Sequence, residues 1–217
     1  MKKVLFILPL LYIQIIGFSQ KPEIIEILKT IDGKWQVDTI NNIVYIQNVV
    51  EVPNKTKEQL YYVLHNYLTM AYGDANKVIQ MDDKEKGLIV GKGTYADIRC
   101  KEVMSGSSGQ YTIWHIIKFE IKEERVRITI QLTDIDVYYP GYSAGSAGYV
   151  PPKNYKEKIY EYYPINTGER QYSEKITKTR EGYVFYKTIN RALGTMEAIK
   201  KTLFSNDNII NETNDNW

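Results

Sequence analysis

The alternation of apolar and polar residues from Tyr111 to Lys122 constrains the fold of this chain more than any other feature. Successive side chains of a strand point to opposite faces, so this pattern is typical of a β-strand with one buried face. The residues of the apolar parity are Ile113, His115, Ile117, Phe119 and Ile121. After a turn at Glu123 and Glu124, a second alternating run carries Val126, Ile128, Ile130 and Leu132. The two runs predict an antiparallel hairpin in a sheet that is covered on one face.

Beyond this hairpin the apolar parity shifts by one residue, to Ile135 and Val137. One extra residue in a strand turns every later side chain to the other face unless a bulge absorbs it. A β-bulge near Thr133 or Asp134 is therefore expected.

Three further strands are predicted upstream of the hairpin. The first spans residues 43–52, with Val44, Ile46, Val50 and Val52 on one face. Residues 77–81 and 88–97 form a second hairpin around the polar turn 82–87. A flexible Ser/Gly loop is expected at 105–109.

Two amphipathic helices complete the pattern. Thr56 and Gln59 form a capping box that opens the first helix, and Gly73 ends it. Its predicted buried stripe is Leu60, Val63, Leu64, Tyr67, Leu68 and Ala71. The second helix is expected from Glu181 to Phe204, on the stripe Phe185, Ile189, Ala192, Leu193, Met196, Ile199 and Leu203. The order of strand, helix, four strands and helix predicts an α+β fold, a curved antiparallel sheet with helices on one face, and a helix-grip fold fits the same order.

The N-terminus has the three parts of a cleavable signal peptide. Lys2 and Lys3 precede an apolar stretch that is shorter than the roughly twenty residues needed to span a membrane, and Gly17 and Ser19 suit a cut before Gln20. No cysteine lies near this cut, which argues against a lipid anchor. We therefore expect a periplasmic or extracellular protein.

The remaining chain is expected to form one domain. The predicted boundaries are a signal peptide at 1–19, a leader at 20–42, a domain at 43–204 with an irregular Tyr-rich insertion at 138–170, and a disordered tail at 205–217. Cys100 is the only cysteine, so no intramolecular disulfide is possible. Without Lys2 and Lys3, 26 basic residues balance 26 acidic ones, which disfavours nucleic acid as a partner.

Part of the chain resembles a known family. The strand Val49–Val52, the helix start Lys57–Tyr61 and the hairpin from Val78 to Gly93 are similar to the exported proteins, chiefly of Bacteroidetes, that are grouped as domain of unknown function 4468. The resemblance covers roughly residues 45–137. It implies a TATA-binding-protein-like fold and no particular activity, and the name of that fold does not imply DNA binding.

No pattern predicts a catalytic residue, a metal site or a cofactor. Gly87, Gly91 and Gly93 have the wrong spacing for a phosphate loop and favour close approach by a neighbouring element. His65 is expected at the surface and His115 as a hydrogen-bonded core histidine, or as the polar group of an apolar ligand cavity.

Acidic residues form two small groups. Asp82, Asp83 and Glu85 suit a solvated turn rather than a calcium loop. Asp134 and Asp136 are two residues apart and could share a face, which is compatible with paired carboxylates, although surface or bulge positions explain them better.

The tyrosine-rich insertion is the strongest functional signal. Tyrosine combines flat apolar area with a hydroxyl group and recurs at recognition surfaces, but tyrosines also cover sheet edges and helices. The candidate binding residues are Tyr138, Tyr139, Tyr142, Tyr149, Tyr155 and His115.

Three functions remain open at this point. The first is an exported noncatalytic module that binds a protein or glycan of the cell envelope through residues 138–163. The second is a carrier that holds an apolar small molecule between the C-terminal helix and the sheet face of Ile117, Phe119, Ile128 and Ile130. The third is an enzyme with His115 near Asp134 or Asp136.

Overall fold

A computed structural model of the chain describes residues 24–73, 75–101, 108–162 and 175–205. The predicted signal peptide, the predicted Ser/Gly loop up to Ser107, the end of the predicted insertion and the predicted tail after Ser205 lie outside the described residues.

A seven-stranded antiparallel sheet forms the body of the described structure. The described residues form nine strands, of which seven belong to this sheet. They are β1 (Gln36–Asp38), β2 (Ile43–Glu51), β3 (Ile79–Asp83), β4 (Leu88–Lys101), β5 (Ser108–Lys122), β6 (Arg125–Tyr139), β7 (Tyr142–Ser143), β8 (Tyr149–Val150) and β9 (Lys153–Lys158). The sheet order is β1-β2-β6-β5-β4-β3, and β9 also pairs with β6, whereas β7 and β8 form a separate ribbon. The predicted α+β class with an antiparallel sheet is confirmed.

The long strand β6 carries two partners on one edge. β2 pairs with its first half, from Arg125 to Leu132, and β9 pairs with its second half, from Asp134 to Tyr139. The prediction of a wholly irregular insertion is therefore wrong, because residues 153–158 form a strand. Its sequence, Lys-Asn-Tyr-Lys-Glu-Lys, lacks an apolar parity, as is common for edge strands that resist further pairing.

The predicted bulge lies in β6. Ile113 of β5 pairs with Ile135 and His115 pairs with Leu132, so Thr133 and Asp134 together oppose the single residue Trp114. The prediction is confirmed, and the extra residue returns Ile135 to the buried face.

A second bulge lies in β4 and was not predicted. Ala96 and Asp97 oppose the single residue Thr112 of β5, and Asp97 has a φ of 59°. The two bulges flank β5 on opposite sides, almost level with each other, and bulges bend and twist a sheet locally.

Four helices accompany the sheet in the described structure: α1 (Ile24–Lys29), α2 (Lys57–Tyr72), α3 (Ala75–Val78) and α4 (Lys175–Ser205). The capping box of Thr56 and Gln59 is present, and Gly73 ends α2 in the left-handed conformation with a φ of 73°. Helix α4 begins six residues before the predicted start at Glu181. Residues 77 and 78 are helical rather than extended, so the hairpin strand begins later than expected.

Helices α2 and α4 cover one face of the sheet, which we call the inner face. The predicted stripe of α4 is buried except for the half-buried Leu193. On α2, Tyr61 is buried whereas Ala71, which was predicted to be buried, is exposed. Each fully buried Leu, Ile or Phe side chain stabilises the fold by about 1.5–3 kcal/mol, so this layer is the main source of stability.

Two glycines of β4 let α2 approach the sheet closely. A Cβ atom at Gly91 would lie 3.1 Å from a methyl of Leu68, and one at Gly93 would lie within 3.0 Å of the ring of Tyr72. The expectation that these glycines serve close packing is confirmed. Gly93 thereby places Tyr72 directly over the sheet.

Candidate functional site

The tyrosines around β6 and β9 divide into an inward and an outward group. Tyr139 and Tyr155 face inward, and their rings stack with centroids 6.2 Å apart. The hydroxyls of Tyr111 and Tyr139 are 2.6 Å apart, and Arg180 of α4 donates a hydrogen bond of 2.8 Å to Tyr139. Burial raises the pKa of Tyr139 and Tyr155, so both stay neutral. This pair of tyrosines connects the sheet edge to α4. It therefore packs over a sheet edge, which the sequence allowed as the alternative to binding.

The outward group is Tyr138, Tyr142 and Tyr149, whose exposed fractions are 39%, 36% and 69%. None of their hydroxyls forms a hydrogen bond with another described residue. In the ribbon of β7 and β8, Tyr142 pairs with Val150 and Ser143 pairs with Tyr149, around a short 3₁₀ turn at Gly145–Ala147. Residues 142–149 consist only of Tyr, Ser, Ala and Gly, so the tip carries aromatic area and no charge.

Tyr138 borders a groove on the outer face of the sheet, opposite the helices. Cross-strand pairing places Gln110, Tyr138 and Asn154 in one row and Thr112, Asp136 and Lys156 in the next. These residues, together with atoms of the inward-facing Val137 and Tyr155 between the two rows, line a groove of about 560 Å³, which we call the outer groove. It presents hydrogen-bonding side chains beside an exposed aromatic ring.

The carboxylates of this region are already partnered. Trp114 donates from Nε1 to Oδ2 of Asp136 at 2.7 Å, and Nζ of Lys156 lies 3.5 Å from its Oδ1. Asp134 accepts a hydrogen bond from Lys158, which holds the pKa of Asp134 below its usual range. The two acids thus share a face, as expected, but each is neutralised by its own cation or donor rather than paired with the other.

His115 lies on the inner face and is fully buried, with 0% of its surface exposed. Its Nε2 is 2.6 Å from the hydroxyl of Tyr72, and its ring stacks on Tyr95 with centroids 4.0 Å apart. Tyr95 in turn donates to Oγ1 of Thr195 in α4 at 3.0 Å. Burial lowers the pKa of His115 to about 4, so the ring is neutral at pH 7.

The structure does not bring His115 to the other candidate residues. It is a hydrogen-bonded core histidine, and the sheet separates it from Asp134 and Asp136 on the outer face. His65, the other histidine, is half-buried with Nε2 3.3 Å from Asp82. Among the described residues no three His, Cys, Asp or Glu side chains are grouped as metal ligands would be.

Sequence reasoning missed the partners that surround Tyr138. Gln110, Thr112, Asn154 and Lys156 join the groove only because β9 pairs with the second half of β6. The usable signal was the alternation within β9, where Asn154 and Lys156 share one parity and Tyr155 takes the other.

An antiparallel sheet with helices on one face defines the class of this protein as α+β. Residues 47–137 match the family model described as "Domain of unknown function (DUF4468) with TBP-like fold", which confirms the resemblance seen in the sequence. The match ends in β6 and does not include the β7–β9 edge or α4.

Two solved structures share this fold. A DUF4468 family protein from Bacteroides ovatus ATCC 8483 is 15% identical with a TM-score of 0.55, covering 79% of this chain and 92% of that chain. A TBP-like protein from Parabacteroides distasonis ATCC 8503 is 14% identical with a TM-score of 0.51, covering 76% and 95%. At this identity the likeness shows the fold alone. No curated protein matches the chain.

The described helices were also compared with the requirements of a membrane span. Within residues 24–73, 75–101, 108–162 and 175–205, none combines the length and the apolar character needed to cross a bilayer.

Proposed function

We propose that this chain is an exported noncatalytic binding module of the cell envelope that contacts a partner through the exposed part of residues 138–162. The observation that carries the proposal is the uncharged tip at 142–149, which holds two exposed tyrosines, next to Tyr138 at the outer groove. The predicted signal peptide supports the envelope as the place of action.

Tyrosine-rich loops with serine and glycine suit recognition of proteins. Tyrosine supplies rigid amphipathic area at a low cost in conformational entropy, and the small residues let the loop fit against a surface. Tyr142 and Tyr149 keep free hydroxyls as well as exposed rings, so they offer apolar contact and hydrogen bonds together. These properties favour an envelope protein as the partner over a glycan.

The inner tyrosines are excluded from this surface because they already have a structural role. Tyr139 and Tyr155 hold the β9 edge against Arg180 and Tyr111. They position the exposed tip on a packed base, which reduces the entropy lost when the tip binds.

The carrier hypothesis has less support. The sheet face proposed for an apolar ligand consists of Ile117, Phe119, Ile128 and Ile130, each with at most 1% of its surface exposed. These side chains belong to one continuous core with the stripe of α4, so they pack against protein atoms rather than line a void.

Site-specific photocrosslinking in the native organism tests the proposal. A photoreactive phenylalanine at Tyr149 should give a discrete protein adduct, and Tyr142→Ala should weaken it. The matched position is Tyr62, an exposed tyrosine of α2 on a different surface. Equal adducts at both positions, or no adduct at Tyr149 in a folded protein, would refute the protein partner, and a glycan adduct would redirect the proposal.

Export is tested separately by N-terminal sequencing of the protein from the envelope fraction. A mature N-terminus at Gln20 is expected. An intact Met1 in the soluble cytoplasmic fraction would overturn the envelope assignment.

A further inference from the structure

A second cleft, which shares no lining residue with the outer groove or the tyrosine tip, lies between α4, the bulged part of β4 and α2. Its volume is about 750 Å³, within the range of about 300–1,000 Å³ that is usual for small-molecule sites. The side chains that set its chemistry are Tyr67, Arg99, Tyr186, Lys187 and Arg191, with Gly194 opening its floor. We propose that this cleft binds a small organic anion, a carboxylate or phosphate monoester carried on a flat apolar body.

The first argument is charge. Lys187 and Arg191 are one turn apart on α4, and no acidic residue stands three or four positions from either of them. Like charges at this spacing destabilise a helix, so an anion between them would relieve a local cost. Asp97, the acidic residue in the lining, is 3.9 Å from Arg99 and balances only one of the three cations.

The second argument is the availability of these cations. The Arg191 guanidinium forms no ion pair or hydrogen bond with any described residue. Nζ of Lys187 donates to the backbone oxygen of Arg99 at 2.6 Å, which fixes its position and leaves two ammonium protons free. A guanidinium and an ammonium held in this way match the planar carboxylate and the phosphate group.

The third argument is shape. A Cβ atom at Gly194 would meet no atom within 4 Å, so packing in the described structure does not explain a glycine inside this long helix. The missing side chain leaves room in the cleft, and the rings of Tyr67 and Tyr186, which line the same cleft, suit a flat apolar group.

Nuclear magnetic resonance titration with four small probes tests this site directly. Benzoate and phenyl phosphate should shift the amide signals of Asp97, Asn190 and Gly194 saturably. Benzyl alcohol and benzylamine, which have the same ring without the negative charge, should not. Equal shifts with benzyl alcohol, or no saturable shifts with either anion, would overturn the proposal.

Variants locate the binding. Arg191→Gln should weaken benzoate roughly tenfold or more, because a charge-assisted hydrogen bond is lost. Gly194→Leu should block the cleft while the helix remains folded. Lys201→Gln removes an exposed charge of α4 outside the cleft and should change nothing. If Lys201→Gln weakens binding as much as Arg191→Gln, the anion responds to overall charge and there is no site. Tyr142→Ala leaves this result untouched, so the two proposals fail separately.

Discussion

Acidification from pH 7 to pH 4 should destabilise this protein through His115. The histidine pKa is lowered from 6.5 to about 4 in the fold, because the ring is buried. Between these two pKa values, His115 therefore binds a proton in the unfolded chain but not in the folded chain. Stability from this group is fully present above pH 6.5 and is lost as the pH falls towards 4. A pKa that differs by one between the folded and the unfolded chain corresponds to about 1.4 kcal/mol, so the loss between pH 7 and pH 4 is about 3 kcal/mol.

Urea unfolding at both pH values measures this loss, and His115→Gln isolates it. The glutamine side chain does not titrate and can still bond the hydroxyl of Tyr72. We expect the wild type to lose about 3 kcal/mol more than the variant over this range. His65→Gln is the matched control for the replacement of a histidine, since His65 is half-buried at the surface and lies outside the core. The reasoning is refuted if His115→Gln and the wild type lose the same free energy.

Of three glycine substitutions, one should raise the stability of the fold and two should lower it. Gly194→Ala should raise stability by about 1 kcal/mol, because the new methyl meets no atom and alanine favours the helix; its melting temperature should rise by about 2–4 °C. Gly182→Ala, in the same helix, should lower the melting temperature, because its Cβ would lie within 3.0 Å of Ile24. Gly93→Ala should cost about 1–3 kcal/mol in urea unfolding, since it displaces the ring of Tyr72.

These three outcomes check one another. A destabilised Gly194→Ala would mean that the space above this glycine is filled. A neutral Gly182→Ala would mean that α1 does not pack on α4 through this position. An unaffected Gly93→Ala would contradict the close approach of α2 to β4.

The covered sheet could be predicted from the sequence because apolar residues alternate with polar ones in β5 and β6. The bulge at Thr133 and Asp134 could be predicted because the apolar parity shifts by one residue between the strongly apolar Leu132 and Ile135. The bulge at Ala96 and Asp97 shifts the buried parity in the same way, from Tyr95 to Ile98, but a tyrosine and an alanine left that parity ambiguous.

The site was less accessible to sequence reasoning. The count of tyrosines marked the right segment, but it did not separate Tyr138 from Tyr139. Which of the two faces the core depends on the register that the β6 bulge sets. Strand β9 has no apolar stripe, because its outward side chains are polar and its inward ones include Tyr155, which stacks on Tyr139, and Glu157, which accepts a hydrogen bond from Tyr162. The cleft beside α4 is lined by residues of α2, β4 and α4, which are far apart in the sequence. It therefore becomes visible only in the tertiary structure.

The division of one edge of β6 between β2 and β9 has a consequence for which changes the sheet can absorb. The half that pairs with β2 joins β6 to the rest of that side of the sheet, whereas the half beyond the bulge holds β9 and leads into the tyrosine tip. Because the bulge at Thr133 resets the side-chain phase, insertions and exchanges downstream need not alter the register upstream. The edge beyond the bulge can therefore change in sequence and length while β2 and β6 keep their pairing.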